Sequence, residues 1–421
     1  MQSEKPSFAR FGGGAPLSSM TPRPVASETA SQVSVQGGAT QKGESVNHSK
    51  TGKLFDVVVT VSLVALFFGL PLFFTGLTFQ GIAFEKQLYF YVWLLVGVVA
   101  WVSKGVTTGE MRIRRTPLDI PIVLFGVFYV SAAFFSVDRW HSFWGFFGDP
   151  SRGAISIVGL ILAYYLVLSH FTQARFRMMF GAFLLSSFLL VVWSFLALMN
   201  IHFMPAGLEK YAPISLIGTV STLSTYLGLL VPLFLTAIFA LWKDDIVKKR
   251  MRTVLTTFLF IGIALALFLL LTLYSFVPWV VFLGGLSFFM IYILAQIVRP
   301  AEQWTWVPML VFAMVLGFLM IGSNSLVRAT LPVEVSPNIN LSWQVAQETL
   351  KEHFALGVGP ANYGYAFSMF RPIEYNQNSL YTLRFYQGTG LFFESLAALG
   401  IVGTVLLLVL WLMVGFVRAP C

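Results

Sequence analysis

Ten separate runs of apolar sequence, each long enough to cross a bilayer as a helix, govern what this chain can fold into. A crossing needs roughly 20 mainly apolar residues, and such runs fall near 55–75, 87–103, 118–135, 153–170, 179–199, 216–242, 253–274, 277–297, 304–322 and 391–417. Composition points the same way. Charged residues make up 11% of the chain and apolar residues 57%, with a mean hydropathy of +0.78, whereas soluble domains are about 25% charged. The expected fold is an all-α integral membrane protein with about ten transmembrane helices. Nine of them lie within 53–322, a long extracytoplasmic loop spans 323–390, and 391–421 holds the tenth helix and a short cytoplasmic end.

Residues 1–52 are rich in Ser, Gly, Thr and Gln, a composition that cannot bury enough apolar surface to offset chain entropy and so predicts a disordered tail. Nothing near its start has the apolar core of a signal peptide. With that tail in the cytoplasm, most of the 27 Lys and Arg fall on inside segments, in the tail and at 104–115, 172–177 and 243–252, while acidic residues divide evenly. Cations alone carry the asymmetry, as the positive-inside rule requires, and both termini are expected in the cytoplasm. The net charge of +9 is then topology and contact with anionic membrane lipids, and no basic stripe suggests nucleic acid. The single cysteine, Cys421, excludes an internal disulfide and a cysteine-built metal site.

Ionisable residues sit at the ends of the apolar runs, as with Asp56, Asp119 and Glu394. Ion-coupled transporters normally keep such groups at mid-depth, so the pattern argues against one. Polar chemistry is expected in the loops instead. Residues 136–153 gather Asp138, Arg139, His141, Asp149 and Arg152 among Trp and Phe, either as an interfacial aromatic belt or as an anion site near a helix start. The Ser/Thr-rich run 217–233 suits hydroxyls bonded within helices. In the long loop, Trp343, Ala346 and Leu350 have helical spacing. Gly357, Gly359 and Pro360 then stop that helix, and the glycines could bring bare backbone N–H groups to an anion. Further on come Arg371, Arg384 and Tyr386, just before the last apolar run.

The order Trp343, Leu350, Glu352, His353, Leu356, Gly357, Val358, Gly359, Pro360, Asn362, Tyr363, followed by Glu394, Leu396, Leu399, Gly400 and Gly403, resembles the signature loop of the O-antigen ligase family. The helix carrying Gly218, Thr219, Tyr226, Leu227, Leu229, Pro232 and Leu233 is similar to another segment of that family. The resemblance implies a multi-pass protein of the bacterial cytoplasmic membrane. It implies a metal-independent glycosyltransferase without a cofactor, which takes a glycan from an undecaprenyl diphosphate carrier and passes it to a lipid, protein or glycan acceptor. The chain departs from the family in having Phe276 after Ser275, Ile339 before the loop tryptophan, and Thr389 and Gly390 before the last span, where the family carries Arg, Arg and His-Asn.

Two readings follow. Either Arg384, Arg371, Arg152 and Arg328 bind the diphosphate, with His353 or Glu394 as acceptor base, or catalysis has been lost. A glycan polymerase shares the ligase's donor and differs only in acceptor. A polyprenyl-lipid flippase or facilitator is the alternative from outside the enzymes.

Overall fold

The computed structural model describes residues 41–76, 78, 81–111, 113–199, 201, 215–243, 247–273, 276–296, 335–377 and 379–416. Most of the tail, the ninth apolar run at 304–322 and Arg328 lie outside them. The chain divides into Met1–Asn47 and His48–Cys421, and everything below concerns the second unit.

Among the described residues the fold is all-helical. Its helices are α1 (Gln41–Leu72), α2 (Ile82–Thr108), α3 (Asp119–Phe134), the short α4 (Arg139–Trp144), α5 (Ala154–Ser169), α6 (Gln173–Leu198), α7 (Val220–Lys243), α8 (Lys249–Thr272) and α9 (Phe276–Gln296). After the undescribed stretch come α10 (Ile339–Glu352), α11 (Tyr363–Phe370) and α12 (Leu391–Phe416). Hydrocarbon offers backbone groups no partners, so apolar runs of this length settle as helices whose bonds close within the segment.

Six of these helices are long and apolar enough to cross a membrane: Gly52–Leu72 of α1, α2, α6, Val220–Trp242 of α7, α8 and Leu391–Gly415 of α12. Of the other four runs expected to span, three form the shorter apolar helices α3, α5 and Val277–Met290 of α9, and the run at 304–322 lies outside the described residues. Helices α3 and α5 have 16 residues each, a rise of about 24 Å against roughly 30 Å of hydrocarbon. They are short because the chain between them turns into α4 and a 3₁₀ turn at Pro150–Arg152.

Among the described residues four apolar clusters form the body, one of them joining α10–α12 and one joining α3, α5 and α12; the other two hold most of the long helices. In one, Leu223, Leu227, Leu230 and Phe234 of α7 are almost wholly buried against α6, α8 and α9. Glycines let the backbones approach there: a Cβ on Gly228 would lie 2.6 Å from the Pro278 carbonyl oxygen, and one on Gly262 would lie 2.8 Å from the Phe234 ring. The hydroxyls of α7 behave as the intrahelical reading expects, with Ser224 donating to the Val220 carbonyl (2.8 Å) and Thr225 to that of Ser221 (2.9 Å).

In the other group, Val59, Leu63, Phe90, Leu94 and Leu166 join α1, α2 and α5. Charges close that group at both ends. Lys104 Nζ lies 2.6 Å from Asp56 Oδ1, and Arg175 donates to the other oxygen of Asp56, tying α1, α2 and α6. At the opposite end Glu85 is 2% exposed and accepts from the Thr75 and Thr78 backbones at 2.6 and 3.2 Å, closing the turn between α1 and α2.

Gly228→Val overpacks the α7–α9 contact and is expected to cost about 1–3 kcal/mol, read as a lower unfolding temperature in detergent. Gly284→Ala, where a Cβ meets nothing within 4 Å, leaves that temperature unchanged.

Candidate functional site

The site is built around a break in the last helix. Gly400 has φ 67° and ψ −169°, a conformation that glycine adopts without a Cβ penalty. The break releases the carbonyls of Ala397 and Ala398 from their helical partners. Val358 N–H donates to Ala397 (3.0 Å), Gly359 N–H to Ala398 (2.9 Å), and Ile401 N–H turns out to the Phe354 carbonyl (3.0 Å). The segment 354–359 therefore completes the hydrogen bonding of the broken helix. Contact is backbone to backbone: a Cβ on Gly400 would be 2.5 Å from the Ala355 oxygen, and one on Gly357, itself at φ 64°, would be 2.5 Å from the Ala397 oxygen.

This accounts for the glycines in a way that an anion cradle does not. The N–H groups of Gly357, Val358 and Gly359 all donate to protein carbonyls, Gly357 to that of His353 at 3.1 Å. Pro360 has no N–H to offer.

A second clamp runs from the same segment to the loop before α4. Asn362, 4% exposed, donates through its amide to the Asp138 carbonyl (3.1 Å), the Ser142 hydroxyl (3.1 Å) and the Val358 carbonyl (3.3 Å). Ser142 in turn donates to the Pro360 carbonyl at 2.8 Å, and Val137 N–H to that of Val358 at 3.1 Å. Gly359 is bound here too, since a Cβ on it would lie 2.1 Å from that of Ser136.

Helix α10 supplies the floor. Its N-cap Asn338 accepts from Leu341 N–H (2.7 Å), and Leu341, Ser342, Val345, Ala346 and Thr349 form one buried face. Trp343 packs its ring 5.8 Å from that of Phe393 on α12. His353 is the C-cap of α10, and among the described residues its ring makes no hydrogen bond.

The segment 379–390 folds back over this floor. Thr389 N–H donates to Ser342 Oγ (2.9 Å), and Gln387 donates to Asp149 Oδ2 (2.6 Å). Tyr386 stacks on Phe146 with ring centroids 5.5 Å apart and planes 14° from parallel. The exposed Arg384 is held through Nε to the Gly364 carbonyl (3.1 Å), its guanidinium 5.4 Å from the Tyr386 centroid. Arg371 is anchored similarly, by Nη1 to the Tyr381 carbonyl (2.9 Å) and over the Tyr375 ring at 5.6 Å.

Arg152 and Glu394, given separate roles above, are partners. Arg152 Nε lies 3.1 Å from Glu394 Oε1, and Nη2 is 3.3 Å from Oε2. Glu394 is 7% exposed in the first turn of α12, where a carboxylate also meets the positive end of the helix dipole.

Sequence reasoning did not single out the pocket beside these groups. A cavity of about 470 Å³ lies between α2 and the α4 region, lined by Phe84, Leu88 and Tyr91 on one side and by Trp140, His141, Trp144 and Phe146 on the other. Asp138 is the N-cap of α4: one carboxylate oxygen accepts from His141 N–H (3.2 Å), the other lies 2.6 Å from His141 Nδ1. The hydrogen bond to His141 holds the Asp138 carboxyl below the usual carboxylate range. The visible signal was an Asp three residues before a His, in a run dense with Trp and Phe.

The chain matches no family model and no curated protein.

Gly357→Ala and Gly400→Ala each force a Cβ into backbone at positive φ, and each is expected to cost about 1–3 kcal/mol in strain alone. Both lower the unfolding temperature in detergent, whereas Gly415→Ala, further along α12 and open on all sides, does not.

Proposed function

We propose that this chain is a metal-independent glycosyltransferase that moves a glycan from an undecaprenyl diphosphate carrier to an acceptor at the outer face of the bacterial cytoplasmic membrane. In this reading ten helices span the membrane, both termini are cytoplasmic, and 323–390 is an extracytoplasmic loop over the outer ends of the helices.

The observation that carries the proposal is the position of Arg384. Its guanidinium rides on Tyr386, Tyr386 stacks on Phe146, and Phe146 lines the aromatic pocket. Only Nε is tied to the protein among the described residues, so both terminal nitrogens are available to an anion. A wall of the pocket belongs to α2, a helix fit to cross a membrane, through Leu88, which is 50% exposed. An isoprenoid carrier needs such a lateral approach from lipid, and its diphosphate needs a fixed cation close by.

The chemistry asks little more of the protein. As the bond between the sugar's anomeric carbon and the diphosphate oxygen breaks, negative charge gathers on the diphosphate, and a preorganised guanidinium stabilises that charge. Arg371, held to the Tyr381 carbonyl and over the Tyr375 ring, is the second arginine of this segment proposed to meet the diphosphate. Arg152 is neutralised by Glu394 and acts as a strut that ties the start of α12 to the Pro150–Arg152 turn.

The test is transfer from an undecaprenyl diphosphate-linked oligosaccharide by the purified protein in nanodiscs. Removing one such stabilising donor costs about 10²–10³-fold in rate in comparable sites, so Arg384→Ala is expected to lose that much with its unfolding temperature unchanged. Scrambling of the carrier between leaflets without any transfer would overturn the enzyme reading in favour of a flippase.

A further inference from the structure

The base that such a transfer needs has a candidate outside the loop motif. We infer that His141, oriented by Asp138, takes the proton from the acceptor, and that the acceptor is a carbohydrate hydroxyl whose ring lies against Trp140 and Trp144 in the pocket. The inference rests on the transfer reading and names a catalytic residue and an acceptor class for it.

The geometry separates His141 from the other candidates. Its Nδ1 lies 2.6 Å from Asp138 Oδ2. Asp138 has no proton to donate as a carboxylate, so the ring supplies Nδ1–H, and in the neutral imidazole the lone pair is then on Nε2. Among the described residues Nε2 makes no hydrogen bond, and the side chain lines the cavity. Among the described residues no carboxylate meets the His353 ring, and Glu394 is buried in its pair with Arg152.

The surroundings suit a sugar. Trp140 and Trp144 are 69% and 53% exposed, with ring centroids 5.8 Å apart. Indole faces pack against the C–H face of a pyranose while its hydroxyls stay free for polar partners. At about 470 Å³ the cavity falls within the range of small-molecule sites, about 300–1,000 Å³. Around His141 the titratable and charged groups are Asp138, Arg139, and Tyr91 across the cavity, whose hydroxyl is tied to Ser156 at 2.6 Å. Behind the Pro150 wall stand the Asp149–Gln387 contact and the Arg152–Glu394 pair.

In the step itself, the acceptor O–H gives its proton to His141 Nε2, and the oxygen's electron pair forms the new bond to the anomeric carbon of the donor glycan. The bond from that carbon to the diphosphate breaks, and its electrons leave on undecaprenyl diphosphate. The imidazolium, stabilised by Asp138, then returns the proton to solvent. Asp138 acts through His141 and is a positioning residue.

The experiment measures kcat/KM against pH in nanodiscs, with a soluble oligosaccharide acceptor and an undecaprenyl diphosphate-linked donor, for wild type, His141→Ala, Asp138→Asn, His353→Ala and Arg384→Ala. His141→Ala is expected to lose about 10²–10⁴-fold while retaining affinity for undecaprenyl diphosphate, which Arg384→Ala weakens. Asp138→Asn keeps a good N-cap, and so keeps the fold. It is expected to lower kcat while KM for the oligosaccharide stays at the wild-type value, because the ring loses the partner that orients it. Trp144→Ala raises KM for the oligosaccharide. Wild-type rate and pH profile in both His141→Ala and Asp138→Asn, with activity lost in His353→Ala, would overturn the inference and leave the function intact. No transfer by wild type would overturn both.

Discussion

The arrangement depends on an exchange of backbone hydrogen bonds. At Gly400 the last helix gives up its own i→i−4 pairing, and Val358, Gly359 and Phe354 replace it from a segment about forty residues earlier in the chain. A broken helix near hydrocarbon is tolerable only when its freed groups find partners, and here the partner is the loop. Because the contact is between bare backbones, both sides must be glycine at the crossing, at Gly357 and Gly400. The register of the whole loop follows from it. Asn362 then reaches the α4 loop, α10 lies along α12, and the 379–390 segment is laid over α10 and against Phe146 and Asp149.

The polar side chains proposed for the transfer stand on rigid supports. Arg384 is not at the tip of a free loop: its Nε is bonded to the α11 backbone and its guanidinium packs on a stacked pair of rings. His141 sits on a helix of six residues whose cap is its own hydrogen-bond partner. The Arg152–Glu394 pair joins the start of α12 to the turn before α5. The α4 loop and α12 are tied to each other through Val358 and Asn362, while α2, the pocket's other wall, is held to α5 by Gln87 and Tyr91 on the Ser156 hydroxyl.

Some of this was legible in the sequence. Apolar runs announce helices because a membrane allows little else, and α10 was visible from the spacing of Trp343, Ala346 and Leu350. The ends of α3 and α5 were legible as well: the runs 118–135 and 153–170 overshoot Asp119–Phe134 and Ala154–Ser169 by one residue at each end, but apolarity alone does not announce that 16 helical residues rise short of the hydrocarbon thickness. The glycines showed that a special backbone was needed but not what it met. Gly357 reads as an anion cradle or as a plain helix stop until the Ala397 oxygen is found 2.5 Å from its missing Cβ. Residues far apart in the chain carry no signal of pairing in a single sequence. Arg152 and Glu394 each looked like a free functional charge for that reason, and the aromatic pocket went unseen because α2 supplies one wall and the α4 region the other.

The central claim is that the loop glycines serve to lock 354–359 onto the broken helix, with the site a consequence of that lock. Hydrogen exchange on the protein in nanodiscs tests it residue by residue. The account predicts that the amides of Val358, Gly359 and Ile401 exchange only with global unfolding, far more slowly than those of 379–386 in the overlying segment. Rapid exchange at Val358 and Gly359, matching the exposed segment, would mean that the loop is not held to α12, and would contradict the account.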